Sequence, residues 1–146
     1  MSLADQLSQD LKQAMKDKDK TRLSVVRMVR AAVKNKEIET GTPLTDDEVL
    51  TVFQKELKQR QDSLQAFLSA GRSDLTEAVQ SEIAILHEYL PTQLSDEELK
   101  QVVSDTIAEV GASSKSDMGR VMSAVMPKVR GRADGKRVQQ AVQSLL

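Results

Sequence analysis

The sequence predicts an all-α protein, and three observations support that prediction. Aromatic residues make up only 2% of the 146 residues, so the core must consist of aliphatic side chains, as in packed helices. Apolar residues recur at spacings of three and four, and no stretch shows sustained alternation of apolar and polar residues. Glycines also follow several periodic stretches, where a helix C-terminus favours a left-handed residue: Gly41, Gly71, Gly111 and Gly131.

The N-terminal part is predicted to contain four helices. Ser2 can cap the first, and residues 17–20 form a short connection to the second, in which Met28 is expected to widen a buried valine stripe. Thr45 and Glu48 have the spacing of a capping box, which predicts a third helix from 46 to about 70. Ser73 is predicted to cap the fourth helix, which Pro91 ends.

Three further helices are predicted after Pro91. Ser95 and Glu98 repeat the capping-box spacing and start the fifth helix, Ser116 is expected to cap the sixth, and Asp134 the seventh. Pro127 should loosen or end the sixth helix within a turn. The sequence therefore predicts an N-terminal four-helix domain at 1–91, a hinge at 92–94 and a C-terminal three-helix tail domain at 95–146.

Charge is strongly segregated along a chain whose net charge is only -1. Residues 12–36 hold nine lysines and arginines against two acids, and residues 115–146 hold seven against two. The segment between them, residues 37–114, holds five bases and sixteen acids. Two basic segments in an otherwise acidic chain favour a polyanionic partner, because local potential matters more than total charge.

The tail contains the first candidate anion site. Residues 129–135 are predicted to form a turn between the last two helices, where unpaired N–H groups and the helix dipole would add to the basic side chains. Asp134 would compete for the same N–H groups, and a solvated basic hairpin is the alternative interpretation. We call the candidate phosphate-binding residues the tail cations: Arg120, Lys128, Arg130, Arg132, Lys136 and Arg137.

The second predicted helix carries another basic face. Arg27, Arg30 and Lys34 are spaced i, i+3, i+7 and therefore lie on one side, although a merely solvated helix surface would look the same. Single-strand binding would need exposed aromatic residues for stacking. Phe53 and Phe67 fall on the inward row of the third helix, and Tyr89 alone is insufficient, so a folded RNA is the expected nucleic acid.

The side-chain inventory offers no catalytic centre. With one histidine, His87, and no cysteine, the chain lacks the residues for common zinc sites and for a Cys–His nucleophile pair. Acidic clusters at 46–48 and 96–98 fall in first helical turns, where carboxylates complement the dipole. We therefore expect no cofactor and no catalysis. The absence of an apolar leader or of a membrane-spanning run predicts a cytoplasmic protein with no membrane partner.

Six segments, taken together and in this order, carry a family resemblance: residues 27–35, 54–60, 70–75, 89–91, 117–122 and 131–136. They resemble the YqeY family, whose fold is shared with the C-terminal helical domain of GatB, a component of the tRNA-dependent glutamine amidotransferase. The resemblance implies a four-helix part and a three-helix tail. It also implies a role in holding tRNA, since the amidotransferase domain helps to hold tRNA and lacks the ammonia-transfer chemistry. A similar module is appended to some glutaminyl-tRNA synthetases, and a carbon–nitrogen ligase label would belong to the larger enzyme.

Three functional hypotheses follow. The first is a non-catalytic accessory module that binds tRNA or another folded RNA, with Gly119, Gly131 and Gly135 permitting close backbone approach. The second is a protein-interaction adaptor that docks on an amidotransferase or an aminoacyl-tRNA synthetase, partly through its acidic middle region. The third is an unrecognised enzyme.

Overall fold

The computed structural model describes residues 2–146, and this part of the chain is all-α, with seven α-helices, one short 3-10 helix and no strand. Its contacts divide the chain into two compact units, an N-terminal unit, Met1–Leu90, and a C-terminal unit, Pro91–Leu146. Their independence as domains, with a hinge at 92–94, stays a prediction. The helices are α1 (Leu3–Asp17), α2 (Lys20–Thr40), α3 (Asp46–Ser69), α4 (Ser73–Tyr89), α5 (Asp96–Val110), α6 (Met118–Val129) and α7 (Gly135–Leu145).

The first two helices form a tight antiparallel hairpin. Ser2 caps α1 as predicted, because its hydroxyl accepts a hydrogen bond from the Asp5 N–H at 3.1 Å. The connection to α2 is shorter than predicted. Only Lys18, in a left-handed conformation with φ of 56°, and Asp19, which caps α2, separate the two helices. Lys20 consequently belongs to α2.

The core of the N-terminal unit is aliphatic with one aromatic pair. Phe53 is completely buried, and its ring stacks on that of Tyr89 at a centroid distance of 4.8 Å. The prediction for Met28 is wrong, because this side chain is 48% exposed and leaves the buried stripe of α2 to valines. The buried residues of this core are Leu7, Val25, Val26, Val29, Val33, Val49, Phe53, Leu57, Ile85, Leu86 and Leu90.

Both predicted capping boxes are confirmed. Thr45 and Glu48 exchange side-chain and backbone hydrogen bonds at the start of α3, and Ser95 and Glu98 do the same at the start of α5. These four bonds satisfy N–H groups that have no partner within the helix. The Ser95 contacts also hold the pKa of Glu98 below its ordinary value.

Two other predicted caps are wrong. Ser73 is the first residue of α4, whose N-cap is Arg72 and has no side-chain capping bond. Ser116 lies inside the 3-10 helix Lys115–Asp117, which precedes α6. At each of these two helix starts, neighbouring residues are polar, so the local sequence pattern does not show which of them is the N-cap.

The C-terminal unit packs α5, α6 and α7 around its own core. Pro127 lies inside α6, which continues only to Val129, so the helix ends within a turn as predicted. Asp134 caps α7 by accepting a hydrogen bond from the Arg137 N–H at 3.0 Å. The buried residues of this core are Leu94, Leu99, Val103, Val121, Val125, Val129, Ala133, Val138, Ala141 and Val142.

Residues 92–94 are fixed to the α6–α7 turn by hydrogen bonds. The Leu94 N–H donates to the Arg132 carbonyl at 2.9 Å, and the side-chain amide of Gln93 donates to the Gly131 carbonyl at 2.8 Å. Leu94 is also buried in the core of the C-terminal unit. The start of α5 and the basic turn are therefore one structural assembly.

Candidate nucleic-acid interface

The outward side of α2 presents cationic side chains that form no ion pair or hydrogen bond with other residues between 2 and 146. Arg27 and Lys34 are exposed and Arg30 is half-buried. None of the three forms a hydrogen bond or ion pair with any residue between 2 and 146, and the valines of α2 lie on the opposite side. A helical rise of 1.5 Å per residue puts Arg27 and Lys34 about 10 Å apart along the axis.

Lys20 extends this face and was missed from the sequence. It is the first residue of α2, is exposed, and precedes Arg27 and Lys34 at successive seven-residue intervals. Such intervals return to nearly the same side of a helix. The seven-residue spacing is visible in the sequence, but the sequence pattern there predicts that Lys20 lies in the connection between α1 and α2. We call the set Lys20, Arg27, Arg30 and Lys34 the basic stripe; it spans about 21 Å along α2.

Acidic side chains lie near both ends of the basic stripe, although none forms an ion pair with it among residues 2–146. Lys34 lines a surface pocket with Glu37. Lys20 lines another pocket with three acidic residues of α4, which are Asp74, Glu77 and Glu82. The positive charge of the stripe is therefore partly offset at its two ends.

Lys128 and Arg120 are tail cations that form ion pairs with acids of their own unit. The Lys128 ammonium contacts a Glu109 carboxylate oxygen at 2.7 Å and donates to the Thr106 hydroxyl at 3.0 Å. Arg120 lies 3.4 Å from Asp117, within the first turn of α6. Hydrogen bonds from the Ser113 N–H and the charge of Arg120 lower the pKa of Asp117.

Arg132 and Arg137 hold the basic turn to the start of α5. The Arg137 guanidinium donates to both the Leu94 carbonyl and the Asp96 carboxylate at 2.9 Å. The Arg132 Nε donates to the Thr92 carbonyl at 3.0 Å. Both side chains are half-buried. These contacts stabilise the three-helix unit and explain the two arginines without a ligand.

The two remaining tail cations are exposed. Arg130 interacts with another residue of the chain, whereas Lys136 has no partner among residues 2–146. Most of the predicted tail site is thus occupied by internal contacts. Contact of the tail cations with RNA stays a prediction.

The three glycines singled out in the tail have different local surroundings. Gly131 adopts a left-handed conformation with φ of 77° and ends α6, which by itself accounts for a glycine there. At Gly119 and Gly135 an added Cβ would meet no atom within 4 Å. Space is therefore open at these two positions, as close approach by a ligand would require.

A second cluster of polar groups lies where α1, α2 and α4 meet. Arg22 forms a bidentate ion pair with Glu88, and that hydrogen bonding lowers the pKa of Glu88 and raises the pKa of Arg22. The Tyr89 hydroxyl donates to Asp10, and burial raises the pKa of Tyr89. Each charge has a partner, which is typical of a structural network.

The described part of the chain contains neither a metal-binding cluster of side chains nor a membrane-spanning helix. No group of three or more His, Cys, Asp or Glu among residues 2–146 could hold a metal ion. No helix in the same range is sufficiently long and apolar to cross a lipid bilayer. His87 is exposed, as expected for a surface residue.

Comparison with known proteins gives the family. The model for Yqey-like proteins matches residues 4–146. The chain belongs to the YqeY family. The resemblance seen in the sequence is thereby confirmed, and it covers the N-terminal and C-terminal units.

The YqeY relatives with curated names include several fungal proteins called "Altered inheritance of mitochondria protein 41, mitochondrial". The protein from Pyrenophora tritici-repentis is 32% identical over 145 residues, covering 96% of this chain and 78% of the relative. The protein from Lachancea thermotolerans is 39% identical over 114 residues, covering 75% of this chain and 60% of the relative. The protein from Saccharomyces cerevisiae YJM789 is 28% identical over 134 residues, covering 91% and 63%.

These names correct one expectation from the sequence. A cytoplasmic location was expected, but the named relatives are mitochondrial proteins, so that expectation is wrong. It rested on the lack of an apolar leader, a feature that cannot distinguish between compartments without a secretory signal. The matches also leave part of several relatives uncovered, down to 45% coverage of the one from Kluyveromyces lactis.

Proposed function

We propose that this YqeY-family protein is a non-catalytic accessory module that binds a folded RNA, and that the basic stripe of α2 is its principal contact surface. One observation carries the proposal: four cations on one side of a well-anchored helix have no partner among residues 2–146. Solvated cations of this kind release condensed counterions when they meet phosphates, which drives binding.

The rigidity and the side-chain content of the stripe favour folded RNA over single strands. The helix fixes its cations over about 21 Å, a length that suits the backbone of a structured RNA. Stacking on bases needs several exposed aromatic rings, but Phe53 is buried and Tyr89 stacks against it. Phe67 was expected in the core and is instead half-buried, and one such ring does not form a stacking surface. Binding through phosphates and shape is the mode that these groups support.

The family resemblance makes tRNA the first RNA to test. The related domain of the amidotransferase helps to hold tRNA, and an amidotransferase or an aminoacyl-tRNA synthetase would be the enzyme partner. The absence of catalysis is part of the proposal and rests on the side-chain inventory, which has one histidine and no cysteine.

The tail cations are assigned a smaller part. Arg132 and Arg137 are committed to carbonyl and carboxylate groups, so contact with a phosphate would require those bonds to be replaced. Exposed ion pairs such as Arg120–Asp117 contribute only about 0–1 kcal/mol and exchange readily. Lys136 is the tail residue that is most available to a phosphate.

Salt-dependent tRNA binding tests the proposal. Fluorescence anisotropy with a labelled tRNA transcript should give a linear plot of log affinity against log salt concentration. In a variant with Arg27, Arg30 and Lys34 changed to alanine, the slope should fall by roughly two to three units, because each lost phosphate contact removes nearly one. Affinity near 0.15 M salt should fall at least about tenfold.

A matched control removes the same charge elsewhere. Lys16, Lys100 and Lys115 are exposed lysines outside the basic stripe and the tail cations, and changing all three to alanine should alter the slope by less than about one unit. If the control variant loses as much slope as the α2 variant, or the α2 variant binds like the natural chain, the assignment to the basic stripe is wrong.

A further inference from the structure

A surface pocket of about 500 Å³ lies at the Lys20 end of the basic stripe, between the start of α2 and one side of α4. Besides Lys20, α2 contributes two hydroxyl side chains, those of Thr21 and Ser24. The residues that α4 contributes recur at spacings of three and four, so they share one side of that helix. They are Asp74, Glu77, Ala78, Ser81 and Glu82.

One of the three carboxylates in this pocket has no partner among residues 2–146. Asp74 forms an ion pair with Arg72 at 3.2 Å, and Glu82 lies 3.3 Å from the buried guanidinium of Arg60. Glu77 is exposed, and its carboxylate forms no ion pair or hydrogen bond within the described part of the chain. Glu77 is therefore the uncompensated negative charge beside the basic stripe.

Glu77 acts on only one end of the stripe. Lys20 lines the same pocket, although no ion pair joins the two side chains. Charges at a protein surface act over a screening length of about 8 Å at physiological salt. Arg27 and Lys34 lie about 10 and 21 Å further along α2, which is beyond that length. A phosphate near Lys20 on the α4 side is thus attracted by the ammonium and repelled by Glu77.

We propose that Glu77 is a specificity determinant of the basic stripe, which disfavours flexible single-stranded RNA relative to folded RNA. This role rests on the proposed RNA binding and deepens it. A flexible strand follows the local positive potential, so its phosphates would spread around Lys20 onto α4 and meet Glu77. The backbone of a folded RNA is held by its own structure and can contact α2 along one line. Repulsion of an unwanted ligand contributes to selectivity together with attraction of the preferred one.

Fluorescence anisotropy with two labelled RNAs tests this selectivity. One is a folded tRNA transcript, and the other is an oligouridylate of about 20 nucleotides, which remains single-stranded. In Glu77→Gln, the affinity for the oligouridylate should rise at least about fivefold near 0.1 M salt, and the affinity for tRNA less than about twofold. The control is Glu97→Gln, which removes the same charge from an exposed position of the C-terminal unit and should change both affinities by less than about 1.5-fold.

A double-mutant cycle with Lys20→Ala locates the effect at the pocket. Each phosphate contact with a single strand contributes about 0.7 to the slope of log affinity against log salt concentration. In the natural chain, Lys20→Ala should lower the oligouridylate slope by less than about 0.3, because Glu77 weakens that contact. In the Glu77→Gln background, the same change should lower the slope by about 0.7.

The outcomes separate this role from the proposed function. Equal gains for both RNAs in Glu77→Gln, no gain for either, or an equal effect of Lys20→Ala in both backgrounds would overturn the role of Glu77. Loss of tRNA binding on changing Arg27, Arg30 and Lys34 to alanine would then still support RNA binding by the stripe. If the natural chain binds neither RNA, both the proposed function and the role of Glu77 are wrong.

Discussion

Arg137 provides the sharpest test of the difference between structural and ligand-binding cations. Its guanidinium donates to the Leu94 carbonyl and the Asp96 carboxylate at 2.9 Å, and its side chain is 32% exposed. Hydrogen bonds that involve a charged group contribute about 1.5–3 kcal/mol to stability. Partial exposure of the side chain reduces this contribution, because water can replace some of the hydrogen bonds that the substitution removes. We predict that Arg137→Ala lowers the free energy of unfolding of the C-terminal unit by about 1–2 kcal/mol.

Urea unfolding followed by two-dimensional NMR measures this for each unit separately. Amide signals of α5 to α7 should disappear at a lower urea concentration in Arg137→Ala, whereas those of α1 to α4 serve as an internal reference. Lys136→Ala is the matched control, since the Lys136 side chain has no partner among residues 2–146, and should change the unfolding free energy by less than about 0.5 kcal/mol. Equal midpoints for the two variants would refute the structural role of Arg137.

Three further predictions concern stability. Arg60→Ala should destabilise the N-terminal unit by about 3–5 kcal/mol in chemical denaturation, because it leaves the buried Glu56 carboxylate unpaired; a loss below about 1 kcal/mol would contradict this. Gly131→Ala should lose about 1–2 kcal/mol because its φ is 77°, whereas Gly119→Ala, inside α6 with open space, should gain about 0.5–1 kcal/mol; similar melting temperatures would argue against both. The Arg22 contact lowers the pKa of Glu88, so the ion pair stabilises the fold above the ordinary glutamate pKa and this stabilisation is lost as the pH falls below it. Arg22→Met should therefore flatten the fall in stability between about pH 5 and pH 3. An unchanged pH profile would count against the ion pair.

Local signals in the sequence predicted much of the fold correctly. The capping boxes at Thr45 and Ser95 involve residues only three apart, so the chain needs no distant partner to form them. The four helix-terminal glycines all have positive φ, for the same local reason. The failures at Ser73 and Ser116 also occurred at helix starts, where a shift of one or two residues leaves the local pattern almost unchanged.

Features that depend on distant residues could not be predicted in this way. Arg60 appeared as an interruption in the apolar row of α3, yet it is 6% exposed and contacts Glu56, Glu82 and the sulfur of Met28. Glu82 and Met28 lie 22 and 32 positions away in sequence. Their positions become known only when α2, α3 and α4 are packed together.

The candidate site shows the same limit. The run of basic residues in the tail predicted a phosphate-binding site there. In the structure, however, Arg137 pairs with Asp96 at a separation of 41 residues, and Lys128 pairs with Glu109 at a separation of 19. The stripe on α2 was found because its cations repeat along one helix and need no distant information. Only the packed structure shows that none of its four cations forms an ion pair with a carboxylate among residues 2–146.

The most direct test of the account is amide NMR of the full isotope-labelled chain during titration with unlabelled tRNA. We predict that attenuation and shifts begin along α2 at Lys20, Arg27, Arg30 and Lys34, while the turn at 129–135 changes less. Strong early changes confined to that turn, with α2 unaffected, would contradict the assignment of RNA binding to the basic stripe.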